Sequence, residues 1–264
     1  MISEIRYADP DGVLIPRLPA GVGAAIGSDY CIHLLPGRIA LTQAIEETSA
    51  RDIPLLLLTP YLRDAELKRV TALLRSIPAG ADVTLSVNDW GALYAWRTLF
   101  PELPLTLGRL LSGQKSCPRI GVSDRLTDEE RAWHGEGLHS SPVASRFLTG
   151  KMGIRGFHVD ALPWGIPRAM PMADGEGETP LLFVHEGWPI VTVSDRCPWL
   201  GGASSASVSA CPRHCREGRV RLREPSMGDD LIARGKARFA ERKDEAPQAD
   251  SGVRTIRVRY DGCP

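Results

Sequence analysis

The sequence lacks a long hydrophobic run, an excess of charge of one sign and an N-terminal hydrophobic segment typical of secretion. Its longest apolar run, PLLLLTPYL, is far shorter than the roughly 20 residues of a membrane-spanning helix. Lysine plus arginine number 32, as do aspartate plus glutamate, so the net charge is zero, which argues against a protein that coats nucleic acid or anionic membrane. We therefore expect a soluble cytoplasmic protein with no membrane span. Nucleic-acid binding is left to local basic patches and has no support from the net charge.

Short motifs of several enzyme classes are also missing. No G-x-G-x-x-G follows the first predicted strand, so a dinucleotide-binding fold has no specific support. No G-x-S-x-G is present, and the dipeptide HE at His185 has no second histidine four residues further on. The residues alone therefore give little support to a serine hydrolase or a zinc protease.

The sequence does contain a repeated alternation of short apolar runs and longer amphipathic ones. IPLLLLT and DVTLSV are typical of strands, whereas RDAELKRVTALLRSI and WGALYAWRTLF are typical of helices. Such alternation indicates parallel β/α units. The pattern does not separate an open doubly wound sheet from a closed barrel. Within the α/β class we favour a parallel β/α, TIM-like barrel, regular or irregular.

Two segments interrupt this alternation. Residues 111–142 are polar and long, which is typical of an excursion from the barrel. Residues 224–264 are charged and end in RTIRVRY, where apolar residues alternate with arginines as in a half-exposed strand. We predict a barrel over residues 1–223 that carries the excursion. The C-terminal segment over residues 224–264 is then expected to end in a strand packed on the barrel.

Six cysteines are the strongest chemical signal. In a reducing cytosol they are thiols, and a close group of them indicates metal binding or catalysis rather than a disulfide framework. Cys197 and Cys31 each follow a predicted strand, and the carboxyl ends of parallel strands meet at one edge. A loop rich in glycine, serine and alanine can bring Cys211 and Cys215 to the same place. We therefore expect four thiols to converge: Cys31, Cys197, Cys211 and Cys215.

Spacing alone leaves three interpretations of these thiols open. A 4Fe–4S cluster takes one thiolate per iron and tolerates scattered ligands. Zinc prefers two short chelating pairs, and only Cys211 and Cys215 form one, although His214 could replace a thiol. The third interpretation is that no metal is bound. Cys117 and Cys263 lie outside the set and are interpreted as buried or spare thiols.

A second group of polar residues follows predicted strands. Asn88 and Asp89 stand between a strand and a helix, where they could cap the helix or face the barrel mouth. Residues after the strand LPLTLG could hold a carboxylate or phosphate through charge-assisted hydrogen bonds, or form solvated surface. We take six residues as candidates for substrate binding and identify no catalytic residue. They are Asn88, Asp89, Arg109, Gln114, Lys115 and Arg119.

Two histidines have simpler interpretations. His158 alternates with apolar neighbours, so we interpret it as a structural histidine rather than a base. His185 and Glu186 are adjacent, and adjacent residues of a strand point to opposite faces. We therefore do not expect these two to form an acid–base pair.

Several segments together resemble a known family. GWPIVTVSDRCPWLG, the pair Cys211 and Cys215, and LIARGKARFAERKDEAP followed by GVRTIRVRY resemble the collagenase-like peptidases of unknown catalytic type, family U32. GSDYC, VNDWGAL and LTLGRLLSGQKSCPRI resemble further blocks of that family. The resemblance extends over about residues 20–260 and points to a short, single-domain, UbiV-like branch of iron–sulfur proteins in ubiquinone biosynthesis.

The resemblance implies a β/α barrel that holds a 4Fe–4S cluster on Cys31, Cys197, Cys211 and Cys215. It also implies oxygen-independent hydroxylation of a quinone precursor or an RNA base, with a small anionic substrate or donor. The implied partner is a larger homologous, UbiU-like subunit in a heterodimer. The family name leaves a peptidase of unknown catalytic type as one alternative. A non-catalytic, cluster-bearing accessory subunit is the other, so enzyme activity itself is left open.

Overall fold

The computed structural model describes residues 2–165, 180–204, 210–228, 230–240 and 254–260. The strands of these residues form two sheets. Eight strands, each parallel to its neighbours, close into a barrel in the order β1-β12-β7-β6-β5-β4-β3-β2. The predicted parallel β/α barrel is therefore confirmed. The strands are β1 (Glu4–Asp9), β2 (Gly23–Gly27), β3 (Leu55–Leu58), β4 (Val83–Val87), β5 (Leu105–Leu107), β6 (Ile154–Asp160), β7 (Leu181–His185), β8 (Ile190–Val193), β9 (Val220–Leu222), β10 (Leu231–Arg234), β11 (Ala237–Ala240) and β12 (Thr255–Arg259).

Strand β3 is apolar on both faces because each face contacts protein. In β3 all four residues are buried leucines. Leu55 and Leu57 belong to the core between the strands and the helices, whereas Leu56 and Leu58 belong to a second cluster with Ile5 and Phe183 inside the barrel. Successive side chains of a strand point to opposite faces, so a continuous apolar run is what a barrel strand requires.

Helices occupy the connections on the outside of the barrel. Asp89 begins α3, because its carboxylate accepts a hydrogen bond from the backbone N–H of Ala92 at 2.8 Å. The connection from β5 to β6 contains three short α-helices: α4 (Pro118–Val122), α5 (Asp128–Gly135) and α6 (Pro142–Arg146). None of the helices within the described residues is long and apolar enough to cross a bilayer. The helices are α1 (Arg38–Ala50), α2 (Asp64–Leu74), α3 (Trp90–Leu99), α4 (Pro118–Val122), α5 (Asp128–Gly135) and α6 (Pro142–Arg146).

The C-terminal strand β12 lies within the barrel wall, between β1 and β7. The sequence led us to place it on the barrel surface, with the barrel ending at residue 223; the structure corrects that boundary. Both faces of β12 are used. Ile256 and Val258 join the cluster inside the barrel, while Arg257 and Arg259 pair with Glu186 on the outside at 3.5 and 2.8 Å.

The other four strands form an antiparallel sheet in the order β8-β11-β10-β9, which we call the cap sheet. Its hairpin β10–β11 belongs to the segment that was expected to be a charged tail. Gly235 makes the turn possible, because its φ of 54° is in the left-handed region that favours glycine.

The cap sheet covers the carboxyl ends of the barrel strands. Tyr30 and Cys31 follow β2, Trp188 follows β7, and all three pack against Ile232 and Phe239 of the cap sheet. The rings of Tyr30 and Phe239 meet edge-on, with centroids 5.5 Å apart. This second hydrophobic core shields one side of the barrel mouth from water.

Replacement of Trp96 in α3 tests how the helices pack around the barrel. The side chain of Trp96 is completely buried, and its indole N–H donates to Thr71 Oγ1 of α2 at 2.9 Å. We expect Trp96→Ala to lower the free energy of unfolding by about 3–5 kcal/mol, because it removes a large core side chain. Urea denaturation followed by circular dichroism measures the loss. Trp90→Ala, at a half-exposed position of the same helix, is the matched control, and equal losses in both variants would contradict the packing.

Candidate functional site

Polar side chains from seven strands gather at the carboxyl end of the barrel, which we call the barrel mouth. In β/α barrels this end carries the functional site, because the loops after the strands meet there. The residues stand at the last position of a strand or shortly after it. They are Asp29 after β2, Thr59 after β3, Asn88 after β4, Arg109 after β5, Asp160 in β6, His185 in β7 and Tyr260 after β12.

Arg109 lies at the centre of the mouth, buried between two carboxylates. Its guanidinium donates to Asp29 Oδ2 at 2.7 Å and to Asp160 Oδ1 at 2.9 Å. Burial alone would lower the pKa of Arg109, but Tyr260, Asp29 and Asp160 outweigh it and raise that pKa. Burial raises the pKa of the Asp160 carboxyl, and Arg109 opposes that rise. The result is a charged cluster in which every member has a partner.

Asn88 and Gln114 hold these charged groups in place. The Asn88 carboxamide donates to Asp29 Oδ1 at 2.9 Å and accepts the backbone N–H of Leu110 at 2.8 Å. A side chain at Gly108 would overlap that carboxamide, so the backbone approach requires glycine. Gln114 binds the backbone of Asp160 on both sides: its Nε2 donates to the carbonyl oxygen at 2.9 Å, and its Oε1 accepts from the N–H at 2.8 Å.

The other predicted binding residues are distributed differently. Asp89 caps α3, and Arg119 is exposed and donates to Ser226 Oγ at 3.1 Å. Lys115 is exposed and lines a cavity of about 270 Å³ beside the mouth. Arg109, Gln114, Asp160 and residues 190–193 of the cap sheet also line it. The structure therefore brings Arg109, Gln114 and Lys115 together, with Asn88 beneath them, and leaves Asp89 and Arg119 apart.

A chain of hydrogen bonds runs from the mouth into the barrel. Tyr260 Oη is 2.6 Å from His185 Nδ1, His185 Nε2 is 2.7 Å from His158 Nδ1, and His158 Nε2 is 2.9 Å from Thr106 Oγ1. Burial, aided by Arg109, lowers the pKa of His158 to about 3 and that of His185 well below its usual value. Both imidazoles are therefore neutral. His158 is a satisfied buried histidine. His185 is the last residue of β7, whereas Glu186 follows that strand and pairs with Arg257 and Arg259, so the two do not form an acid–base pair.

The four predicted thiols lie where the cap sheet meets the mouth. Cys31, Cys197 and Cys215 are buried and Cys211 is partly buried. Burial, together with Cys31, Cys197 and Cys211, raises the pKa of Cys215 to about 11, although Arg234 opposes the rise. Burial also raises the pKa of Cys31, with added contributions from Cys211 and Cys197. The four thiols are thus within electrostatic reach of one another.

The two remaining cysteines are not part of this group. Cys117 lies in the excursion, with its Sγ 4.0 Å from Met227 Sδ. Cys263 lies outside the described residues.

Cations of the hairpin β10–β11 surround the thiols. Lys236 is buried, lowers the pKa of Cys31, and donates to Tyr61 Oη at 3.3 Å. No carboxylate among the described residues forms an ion pair with it. Arg234 Nε donates to the backbone oxygen of Cys215 at 3.0 Å. Burial lowers the pKa of Arg238, and Cys197 opposes that lowering.

Backbone and side-chain contacts fix the loop that carries two of the thiols. The N–H of Arg213 donates to Cys211 Sγ at 3.4 Å. The guanidinium groups of Arg213 and Arg216 both bind Asp11, each at 2.8 Å, which attaches this loop to the barrel. The turn at Gly235 closes on the Cys215 side, since a side chain there would come within 3.8 Å of its Sγ. The thiols therefore sit in a defined, positively charged cradle.

No group of three or more His, Cys, Asp or Glu side chains in the described part of the chain is arranged to hold a metal ion. A zinc ion needs its ligand atoms at about 2.0–2.3 Å from one centre, and His214, the alternative ligand, is exposed. A 4Fe–4S cluster binds each thiolate to a different iron, so its ligands do not share one centre. The donor set and its cationic surroundings fit such a cluster better than a single ion, and the assignment stays a prediction.

The fold and its polar mouth define a β/α-barrel protein with a thiol-rich cap. A solved structure, that of the U32 peptidase Mk0906, is similar to this chain with a TM-score of 0.47 and 11% identity. The match covers 100% of this chain and 94% of that one. No protein-family model and no curated protein matches the sequence.

Several residues of the mouth were missed from the sequence. Asp29 stands in GSDYC, where only the cysteine was considered, and Asp160 and Tyr260 end strands whose carboxyl ends were not searched for polar residues. Lys236 lies in the segment 224–264, which we interpreted from the sequence only as charged. The usable signal was the position of each residue at a strand end; for Lys236 it was the alternation of LIARGKARFA around a glycine turn.

Removal of Arg109 tests the buried charge cluster. Arg109→Met leaves Asp29 and Asp160 buried without a counter-ion, so we expect it to lower the free energy of unfolding by about 3–5 kcal/mol at neutral pH. Without Arg109, burial raises the pKa of the Asp160 carboxyl further above its value in the unfolded chain. The folded variant then favours the protonated carboxyl, so its free energy of unfolding is higher at low pH and falls as the pH rises through the folded-state pKa. Urea titrations should therefore show a smaller loss at about pH 5 than at about pH 8.

Arg223→Met is the control for this experiment. Arg223 is exposed and pairs with Asp230 at 3.4 Å on the surface, so its replacement should change little at either pH. A similar small effect of Arg109→Met would mean that the buried cluster does not stabilise the fold.

Proposed function

We propose that this chain is a 4Fe–4S protein of the U32 family that acts in an oxygen-independent hydroxylation. The cluster would lie between the barrel mouth and the cap sheet, on Cys31, Cys197, Cys211 and Cys215. The main support is the mutual electrostatic effect of these thiols, which come from distant parts of the chain and together raise the pKa of Cys215. The resemblance of the cysteine-bearing segments to the family supports the same set.

The charges around the thiols are compatible with a bound metal cluster. Without a metal the thiols of Cys31 and Cys215 are protonated at neutral pH, because burial and the other cysteines raise their pKa. Iron would replace those protons, since a coordinated thiol is deprotonated outright, and its positive charge would offset the repulsion among the thiolates. The cations Arg234, Lys236 and Arg238 offset the remaining negative charge.

The cluster, when bound, supplies one-electron chemistry, and the chain supplies the place for a substrate. The cavity of about 270 Å³ lies between the mouth and β8, a size that suits a small molecule. Arg109 already pairs with two carboxylates, those of Asp29 and Asp160, so it is not free to bind an anion and forms a rigid floor. Lys115 at the rim is the residue suited to an anionic group of a substrate or donor.

A peptidase has less support in the geometry. The hydroxyl of Thr106 bonds to an imidazole, that of His158, but both side chains are buried within the barrel. A peptide bond cannot reach them. A larger homologous partner, with this chain as catalytic or accessory subunit, remains part of the proposal, and co-purification under anaerobic conditions tests it.

Iron and sulfide analysis after anaerobic purification tests the cluster. We expect about four irons and four sulfides per chain in the wild type. Cys31→Ala should lose most of both, because it removes the ligand most distant in sequence. Cys117→Ala is the matched control and should retain them, since Cys117 lies beside Met227 and outside the thiol group. Zinc alone, no metal, or iron that is insensitive to Cys31→Ala would contradict the proposal.

Lys236 gives a second test through the redox potential. A cation near the thiols favours the reduced, more negative cluster, so Lys236→Met should shift the midpoint potential to more negative values. Spectroscopic redox titration of the purified protein measures the shift. Lys68→Met, at an exposed position of α2, is the control and should leave the potential unchanged. A cluster with an unaltered potential in Lys236→Met would place it away from the hairpin.

A further inference from the structure

The hydrogen-bonded chain inside the barrel has no role in the proposed cluster site. It consists of four side chains from four strands or strand ends: Thr106, His158, His185 and Tyr260. Thr106, His158 and His185 are buried, and the ring of Phe183 stacks on His158 at a centroid distance of 4.5 Å. Only Tyr260 is partly exposed, at the mouth, with the Arg109 guanidinium 5.6 Å from its ring centroid.

The hydrogens of this chain can be assigned by counting. A neutral imidazole has one N–H donor and one bare nitrogen acceptor, so a row of two imidazoles must have all its hydrogens pointing one way. Burial and the charge of Arg109 keep both imidazoles neutral. The direction is therefore decided by the groups at the two ends.

The Thr106 end decides the direction. Thr106 Oγ1 lies 3.1 Å from the backbone oxygen of Leu85, to which it donates, so its oxygen accepts from His158 Nε2–H. His158 Nδ1 then accepts from His185 Nε2–H, and His185 Nδ1 accepts the hydroxyl proton of Tyr260. In the opposite direction the Leu85 oxygen would lose this donor. The hydroxyl of Tyr260, a partly exposed residue, can donate inward or to water and so does not oppose either direction.

We propose that Thr106 sets the hydrogen-bond polarity of the barrel mouth by holding Tyr260 with its proton turned inward. Thr106 is then a positioning residue and Tyr260 a specificity-determining one. A ligand that reaches the Tyr260 oxygen meets lone pairs and must bring an N–H or O–H donor, and an anionic oxygen is disfavoured there. The inference does not depend on the cluster, because it rests on residues inside the barrel.

Nitrogen NMR of protein labelled with ¹⁵N-histidine tests this polarity directly. The sequence has six histidines, so the spectrum is small enough to assign with His158→Gln and His185→Gln. In the wild type we expect both imidazoles as the Nε2–H tautomer. A scalar coupling across the hydrogen bond should join His185 Nε2 to His158 Nδ1.

A substitution at the Thr106 end should reverse the tautomers, whereas one at the Tyr260 end should leave them unchanged. Thr106→Val keeps the shape but removes the acceptor, and a buried N–H without a partner is rare in proteins, so both tautomers should switch to Nδ1–H. Thr106→Ser keeps the hydroxyl and should keep the wild-type tautomers. Tyr260→Phe removes only the outermost donor and should also leave both imidazoles as Nε2–H.

Three results would overturn the proposal. The first is the Nδ1–H tautomer in the wild type, which needs no variant to fold. The second is a folded Thr106→Val protein that is less stable but keeps Nε2–H, as a merely structural threonine would give. The third is a reversal in Tyr260→Phe, which would move control to the mouth end of the chain.

Discussion

The buried pairing of Arg109 with Asp29 and Asp160 is the constraint on which the mouth depends. It ties together the ends of β2, β5 and β6, which are distant in sequence. A buried ion pair is destabilising unless its geometry and remaining hydrogen bonds are complete. Asn88 and Gln114 complete them, so the strand ends have little freedom to move. The planar guanidinium suits this role because it binds two carboxylates in fixed directions.

The same cluster also positions the cap sheet. Asp160 Oδ2 accepts the backbone N–H of Ile190 at 3.0 Å, and Arg109 donates to the backbone oxygen of Trp188 at 3.1 Å. These two bonds connect the barrel to the first strand of the cap sheet. Cys197 follows that strand, so its position relative to Cys31 depends on the ion pairs below. The positions of the four cysteines and of the charged residues at the mouth therefore depend on each other.

The alternation of apolar and amphipathic runs predicted the β/α units, because strands such as β3 are buried on both faces and the helices on one. It did not predict closure, since β12 has alternating arginines that suit an exposed surface as well as a barrel wall. Adjacent residues also have separate roles that capping preferences cannot distinguish: Asp89 begins α3, while Asn88 faces the mouth. The charged residues of the hairpin β10–β11 are typical of an exposed segment. Lys236 of that hairpin is nevertheless buried, although lysine is mostly an exposed residue.

Burial of a polar residue follows from contacts between distant parts of the chain, and a local pattern carries little information about those contacts. Asp29, Asp160 and Tyr260 show this, since each becomes a partner of Arg109 only after the barrel has closed. All three residues stand at the ends of strands, and this position is the local feature of the sequence that predicts their place at the mouth.

Arg109 connects the charged mouth to the neutral interior of the barrel. Burial is the main cause that lowers the pKa of His158 and His185, and the positive charge of Arg109 adds to it, so the cation that pairs with the carboxylates also helps to keep the imidazoles uncharged. The N–H donors of the two neutral imidazoles must point the same way along the hydrogen-bonded row. The row ends at Tyr260, so this orientation also fixes where the Tyr260 hydroxyl proton points at the mouth. The ion pairs of Arg109 therefore hold the strand ends of the mouth in place. The same arginine helps to keep His158 and His185 neutral, and Thr106 can set the hydrogen-bond polarity of the mouth only while both imidazoles are neutral.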